Sequence, residues 1–126
     1  MLSKNYLLIF LCTLAGFFKA VRDTLMFHWA GSVFKEWGWS EQFWNPNKSW
    51  MNKYANWPDD KNEAFFLSKT ALVSLTDAWH LSELLMLICL FAAIFLSIDA
   101  KGNLLNKAFA VIAFFVSFNM FYYVMG

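Results

Sequence analysis

Three long stretches of the chain are apolar and contain no charged residue: 5–18, 84–98 and 108–126. Of the ten Lys and Arg and nine Asp and Glu, 13 lie instead between Lys19 and Lys69. A helix needs about 20 mostly apolar residues to cross the hydrocarbon core of a bilayer, which is roughly 30 Å thick. The pattern therefore predicts an all-α, polytopic membrane protein with about three transmembrane helices.

The chain is predicted to form one integral membrane domain, 1–126, with spans at 5–29, 70–98 and 104–125. The basic residue and apolar run at its start also fit a secretory signal peptide, but we expect a retained helix. Fourteen uncharged residues rise only about 21 Å at 1.5 Å each, so this helix should continue to residue 29. A turn at 99–103 should join the last two spans as an antiparallel hairpin.

The segment between the first two spans, residues 30–67, is rich in tryptophan. All seven tryptophans lie between Trp29 and Trp79, and tryptophan concentrates where a bilayer meets water. Gly38 and two prolines interrupt any long helix. We therefore expect short amphipathic helices at the level of the lipid head groups, with turns at residues 45–47 and 56–60. A water-exposed aromatic loop is the alternative.

Composition supports a membrane protein and excludes one class of partner. The chain is 60% hydrophobic and 15% charged, whereas a soluble domain is roughly 45–50% apolar and about 25% charged. A net charge of +1 provides no basic surface for nucleic acid. The lysines of the middle segment favour a cytoplasmic position for it. The expected partners are the lipid bilayer and a second copy or another membrane protein.

Ionisable side chains form two clusters, one near the end of the first span and one at the start of the second. An ionisable residue at the centre of a membrane helix costs about 2.5–3.5 kcal/mol on insertion scales, so it is a candidate for a functional site. The spacing allows Lys19 to pair with Asp23, and His80 to pair with either Asp77 or Glu83. It also places the only two histidines near one membrane face. The clusters are Lys19, Arg22, Asp23 and His28, and Asp77, His80 and Glu83.

Two interpretations involve a bound metal. His28 and His80 could supply nitrogen, and Asp77, Glu83 or Asp23 could supply oxygen, which suits zinc, iron or manganese. The two histidines could instead bind a haem iron from opposite sides. The sequence contains no compact metal-binding motif that would select between them.

Two further interpretations need no metal. In an acid–base site, Asp77 would orient His80 as the base, while Lys19 and Arg22 would hold a phosphate. In a structural network, the same charges would neutralise one another between two helices.

Three strings, residues 16–28, 43–54 and 75–81, resemble a family of small bacterial and phage membrane proteins whose members have no assigned activity. Asp77-Ala78-Trp79-His80 is also similar to the Asp-Lys-x-x-His element of VanZ-like and YfiM-like membrane proteins, with the Lys absent and the spacing one residue shorter. That group is proposed to act on lipid head groups. The resemblance implies a multi-pass protein of the bacterial inner membrane with a site directed at lipid.

The sequence thus predicts a polar site at the membrane interface that binds a lipid head group or a metal and could act on lipid phosphate. The alternative is a structural or assembly subunit without enzymatic activity, and no reaction is assigned. The predicted catalytic residues are Asp23, His28, Asp77 and His80, with Lys19 and Arg22 as anion-binding residues.

Overall fold

The computed structural model describes residues 3–99 and 104–125 and is mostly helical. Three of its helices are long and apolar enough to cross a membrane, by length and composition. The prediction of three such helices is confirmed, whereas residues 100–103 of the predicted turn lie outside the described residues. In chain order the elements are α1 (Lys4–His28), α2 (Val33–Glu36), α3 (Glu41–Trp44), α4 (Pro46–Ser49), β1 (Tyr54–Asn56), β2 (Asp60–Glu63), α5 (Ala78–Asp99) and α6 (Leu104–Met125).

Helix α1 packs against both of the other long helices. Near its start, Leu8 forms a buried cluster with Ala93 of α5 and Ala110 of α6. Near its end, Leu25 forms a second buried cluster with Ala78, the first residue of α5. Helix α5 therefore runs antiparallel to α1, and its beginning lies beside the end of α1.

Small residues let α1 and α6 approach closely. A Cβ atom on Gly16 would lie 2.5 Å from the backbone oxygen of Phe114 and 3.0 Å from Cβ of Ser117. Ser117 Oγ donates a hydrogen bond of 2.7 Å to the backbone oxygen of Thr13. Gly16 and the fully buried Ala20 are four residues apart, the small-residue spacing common where membrane helices meet. We did not identify this pair in the sequence.

Helix α5 begins at Ala78, later than the start predicted for the second span at residue 70. The preceding residues form turns and a single 3-10 turn at Val73–Leu75. Ser68 Oγ, in the same loop, donates a hydrogen bond of 2.8 Å to the backbone oxygen of Lys53. Hydroxyl groups in this part of the chain therefore stabilise a loop. The helix begins only where a capping residue precedes it.

A small antiparallel hairpin, β1 with β2, accompanies the helices, so the all-α prediction agrees with most of the fold but lacks this element. Tyr54 pairs with Glu63 and Asn56 with Asp60, and the turn predicted around Pro58 connects them. Strand β2 consists of Asp-Lys-Asn-Glu, so it lacks the alternation of apolar and polar residues by which strands are identified in a sequence. This absence explains why the hairpin was not predicted.

Helices α3 and α4 are joined by an exposed ion pair. Lys48 Nζ donates to Glu41 Oε2, and this hydrogen bond, together with the positive charge of Lys48, lowers the pKa of Glu41. The side chain of Asn45 caps α4 by accepting from the N–H of Asn47 at 3.0 Å, with Pro46 in the first helical position, where proline is favoured. Residues 45–47, predicted as a turn, thus start a helix.

The tryptophans of the middle segment pack in two aromatic groups. Trp50 and Trp57 form one group with Tyr54, with ring centroids 4.8–6.3 Å apart. The other group is Phe34, Trp37, Trp39 and Trp44. Many of these rings therefore stabilise the segment by contacting each other, although Trp37 is 62% exposed.

Candidate functional site

Asp77 is the residue that starts α5. Its side chain is 3% exposed, and Oδ1 accepts a hydrogen bond of 2.9 Å from the backbone N–H of His80. The first N–H groups of a helix have no partner within the helix, and Asp immediately before the first turn supplies one. The carboxylate therefore has a local structural role as well as any functional one.

The other oxygen of Asp77 holds the His80 ring. Oδ2 lies 2.7 Å from His80 Nδ1, as the spacing of three residues predicted. Thr76 Oγ1 lies 2.9 Å from the same oxygen and 2.7 Å from the backbone oxygen of Val73. The Thr76 hydroxyl has one proton, so it donates a hydrogen bond to only one of these two oxygens at a time. An ionised carboxylate only accepts hydrogen bonds, so it favours the tautomer with the proton on Nδ1. Nε2 of His80 is then a hydrogen-bond acceptor or base.

A pocket of about 290 Å³ lies beside this pair. The His80 side chain is 29% exposed and forms part of its wall. The pocket brings together the end of α1, the region of α4 and the start of α5. Its lining residues are Met26, Pro46, Asn47, Ser49, Trp50, Asp77, Trp79 and His80.

Asn52 fixes the middle segment against the start of α5. Its Nδ2 donates to the backbone oxygen of Gln42 at 2.7 Å and to that of Thr76 at 2.8 Å. Thr76 directly precedes Asp77, so this one amide ties the loop around α3 and α4 to the start of the Asp77–His80 pair. We missed this contribution in the sequence because residues near 47 and 77 meet through tertiary contacts that no local spacing indicates.

A separate ion network joins α1 to α5. Lys19 Nζ lies 2.5 Å from Asp23 Oδ2, as predicted for residues four apart. Arg22 Nη1 lies 3.7 Å from Glu83 Oε1, and the guanidinium group lies over the Trp79 ring at 5.3 Å from its centroid. The two cations expected to bind phosphate are thus matched by two carboxylates. Within the described residues, Arg22 Nε and Trp79 Nε1 are buried donors without an acceptor.

The structure separates the four predicted catalytic residues. Asp77 and His80 line one pocket, and neither Asp23 nor His28 is among its lining residues. Asp23 belongs to the ion network, and His28 is exposed at the end of α1. The two histidines therefore do not line the same pocket, although both lie where α1 ends and α5 begins.

The metal hypotheses receive no geometric support. In the part of the chain that the structure describes, no three His, Cys, Asp or Glu side chains come together in a way that could hold a metal ion. The predicted ligand set of His28, His80, Asp77 and Glu83 is therefore not assembled. A bis-histidine haem site needs both imidazoles on one cavity, and only His80 lines the pocket described above.

No protein-family model matches the chain, and no match was found among curated proteins or solved structures.

Proposed function

We propose that this chain is a multi-pass integral membrane protein of the bacterial inner membrane. The outward faces of its long helices support this proposal. Phe91 and Phe95 of α5 are 66% and 70% exposed, and large apolar side chains continue along α6. Apolar surface on this scale is unusual for a soluble monomer and typical of a protein that contacts lipid. In a bilayer, the acyl chains of the lipids then cover these apolar faces.

We further propose that the pocket beside Asp77 and His80 binds a lipid head group. The observation that carries this proposal is the 2.7 Å contact between the buried Asp77 carboxylate and Nδ1 of a partly exposed His80 at the pocket wall. The pocket lies where α1 ends and α5 begins, which is the depth of the head groups if both helices span. Ionisable groups in the membrane segments of a protein are candidates for a functional site.

The geometry favours binding over phosphate chemistry. A reaction at lipid phosphate needs a base, which His80 could provide, and positive groups that stabilise the developing charge. Lys19 and Arg22 were expected to supply that charge, but they pair with Asp23 and Glu83. Head-group binding requires only the Asp77–His80 pair and the walls of the pocket, so it is the function we propose.

Lipid that stays bound during purification tests this proposal. We expect the wild-type protein, extracted from bacterial membranes in mild detergent, to retain about one lipid per chain in native mass spectra. His80→Ala should reduce the retained lipid at least tenfold, because it removes the imidazole from the pocket wall. The matched control is His28→Ala, which removes the other imidazole and should leave retention unchanged.

Circular dichroism and tryptophan fluorescence establish that both variants remain folded. Equal lipid retention by wild type and a folded His80→Ala protein would refute head-group binding at this pair. Absence of specific lipid from the wild-type protein would do the same, and would favour the assembly subunit.

A further inference from the structure

We infer that the head group bound beside His80 carries a primary ammonium group. This inference rests on the proposed function and names the chemical class of its ligand. Among the described residues that line the pocket there is no Lys or Arg, and Asp77 and His80 are the ionisable ones. With His80 neutral, the lining carries one negative charge. Such a pocket attracts a cation and disfavours an anionic head group.

The direction of the hydrogen bonds supports the same conclusion. Asp77 accepts from the backbone and ring of His80, and Nε2 is then left with a lone pair. An ammonium N–H can donate to that lone pair, whereas a phosphate oxygen has no proton to offer and would be repelled by it. A quaternary ammonium also lacks the N–H. The ability to donate a hydrogen bond to Nε2 thus distinguishes a primary ammonium group from a phosphate and from a quaternary ammonium group.

The pocket walls suit a small organic cation. Trp50 lines the pocket, and the electron-rich face of an aromatic ring attracts a cation. Met26 and Pro46 supply apolar surface that can cover the carbon atoms next to the amine. The volume of about 290 Å³ is close to the lower limit of about 300 Å³ for ligand pockets. The pocket therefore fits a head group, while the acyl chains of the lipid stay outside.

The positions of the basic residues give an independent indication. Lys19 and Arg22 contact carboxylates in the network on α1 and α5, so these two cations are already paired. A site built for an anionic head group would direct such cations into the pocket. In this pocket, the charged side chain of the lining is instead the buried carboxylate of Asp77.

Competition between lipids tests the inference. The protein is placed in nanodiscs with equal amounts of phosphatidylethanolamine, phosphatidylcholine and phosphatidylglycerol, and the lipid that remains bound after release is quantified by native mass spectrometry. We expect phosphatidylethanolamine to exceed each of the others by at least tenfold in the wild-type protein. Trp50→Leu, which keeps an apolar wall but removes the aromatic ring, should reduce this preference several-fold, and His80→Ala should abolish it.

The outcomes separate the inference from the proposed function. If phosphatidylglycerol or phosphatidylcholine binds as well as phosphatidylethanolamine, and His80→Ala still releases the lipid, the ammonium inference is wrong and head-group binding stands. If His80→Ala leaves all binding unchanged, both are wrong. A parallel titration with free ethanolamine identifies the source of the amine. Saturable binding shows that the ammonium group suffices, and its absence alongside phosphatidylethanolamine retention shows that the rest of the lipid contributes.

Discussion

Replacing Gly16 by leucine is expected to lower the free energy of unfolding by about 1–3 kcal/mol, the usual range for inserting side-chain atoms into a packed interior. The new Cβ would lie 2.5 Å from the backbone oxygen of Phe114 and 3.1 Å from the backbone nitrogen of Phe118. Backbone atoms cannot rotate away as a flexible side chain can, so α1 and α6 must separate. The measurement is thermal unfolding in detergent, followed by tryptophan fluorescence.

The matched control for this substitution is Ala108→Leu, which also introduces a leucine but at an exposed position of α6. It should leave the unfolding temperature nearly unchanged. Leucine has a better helix propensity than glycine by about 0.8 kcal/mol, so a loss at Gly16 must come from crowding between the helices. Equal unfolding temperatures for Gly16→Leu and Ala108→Leu would contradict the close approach of α1 and α6.

Two substitutions of Asp77 should separate its capping role from its effect on His80. Asp77→Ala removes the acceptor for the His80 N–H, and loss of such a cap costs about 0.5–2 kcal/mol. Asp77→Asn keeps a capping oxygen, and Asn caps helices about as well as Asp. We therefore expect the unfolding temperature to fall for Asp77→Ala and to stay close to wild type for Asp77→Asn.

Lipid binding should respond differently from stability. The backbone N–H of His80 is always a donor, so in Asp77→Asn the amide oxygen must face it and the amide NH₂ group must face Nδ1. Nδ1 then has to accept, and Nε2 carries the proton. The pocket loses its acceptor, and binding of an amine-bearing lipid should fall at least tenfold in both variants. Full lipid binding by Asp77→Asn would show that Asp77 acts only as a cap.

Local spacing in the sequence was enough to predict the contacts within helices. Residues three or four apart share a helix face. The structure contains two of the three pairs that this rule allowed, Lys19 with Asp23 and Asp77 with His80, whereas Glu83, the other carboxylate within reach of His80 by spacing, lies near Arg22. The three long helices followed from runs of apolar residues in the same direct way. Both kinds of prediction depend on geometry that one helix determines by itself.

Contacts between distant parts of the chain could not be predicted in this way. Asn47 and Trp50 come to the wall beside His80 because Asn52 bridges Gln42 and Thr76, and nothing in the local sequence specifies that bridge. The pairing of Arg22 with Glu83 likewise needs the register of α1 against α5. Because of this register, Arg22 forms an ion pair with Glu83, whereas the sequence led us to expect that it would bind phosphate.

The central claim is that His80, held by Asp77, contacts the head group of a bound lipid through Nε2. Because the chain contains two histidines, ¹⁵N NMR of protein labelled only at histidine resolves the claim directly, with His28 as an internal reference and His80→Ala for assignment. On adding phosphatidylethanolamine to lipid-free protein, we expect the His80 Nε2 resonance to shift, its Nδ1 to remain protonated, and His28 to stay unchanged. A His80 spectrum that is the same with and without the lipid would contradict the account.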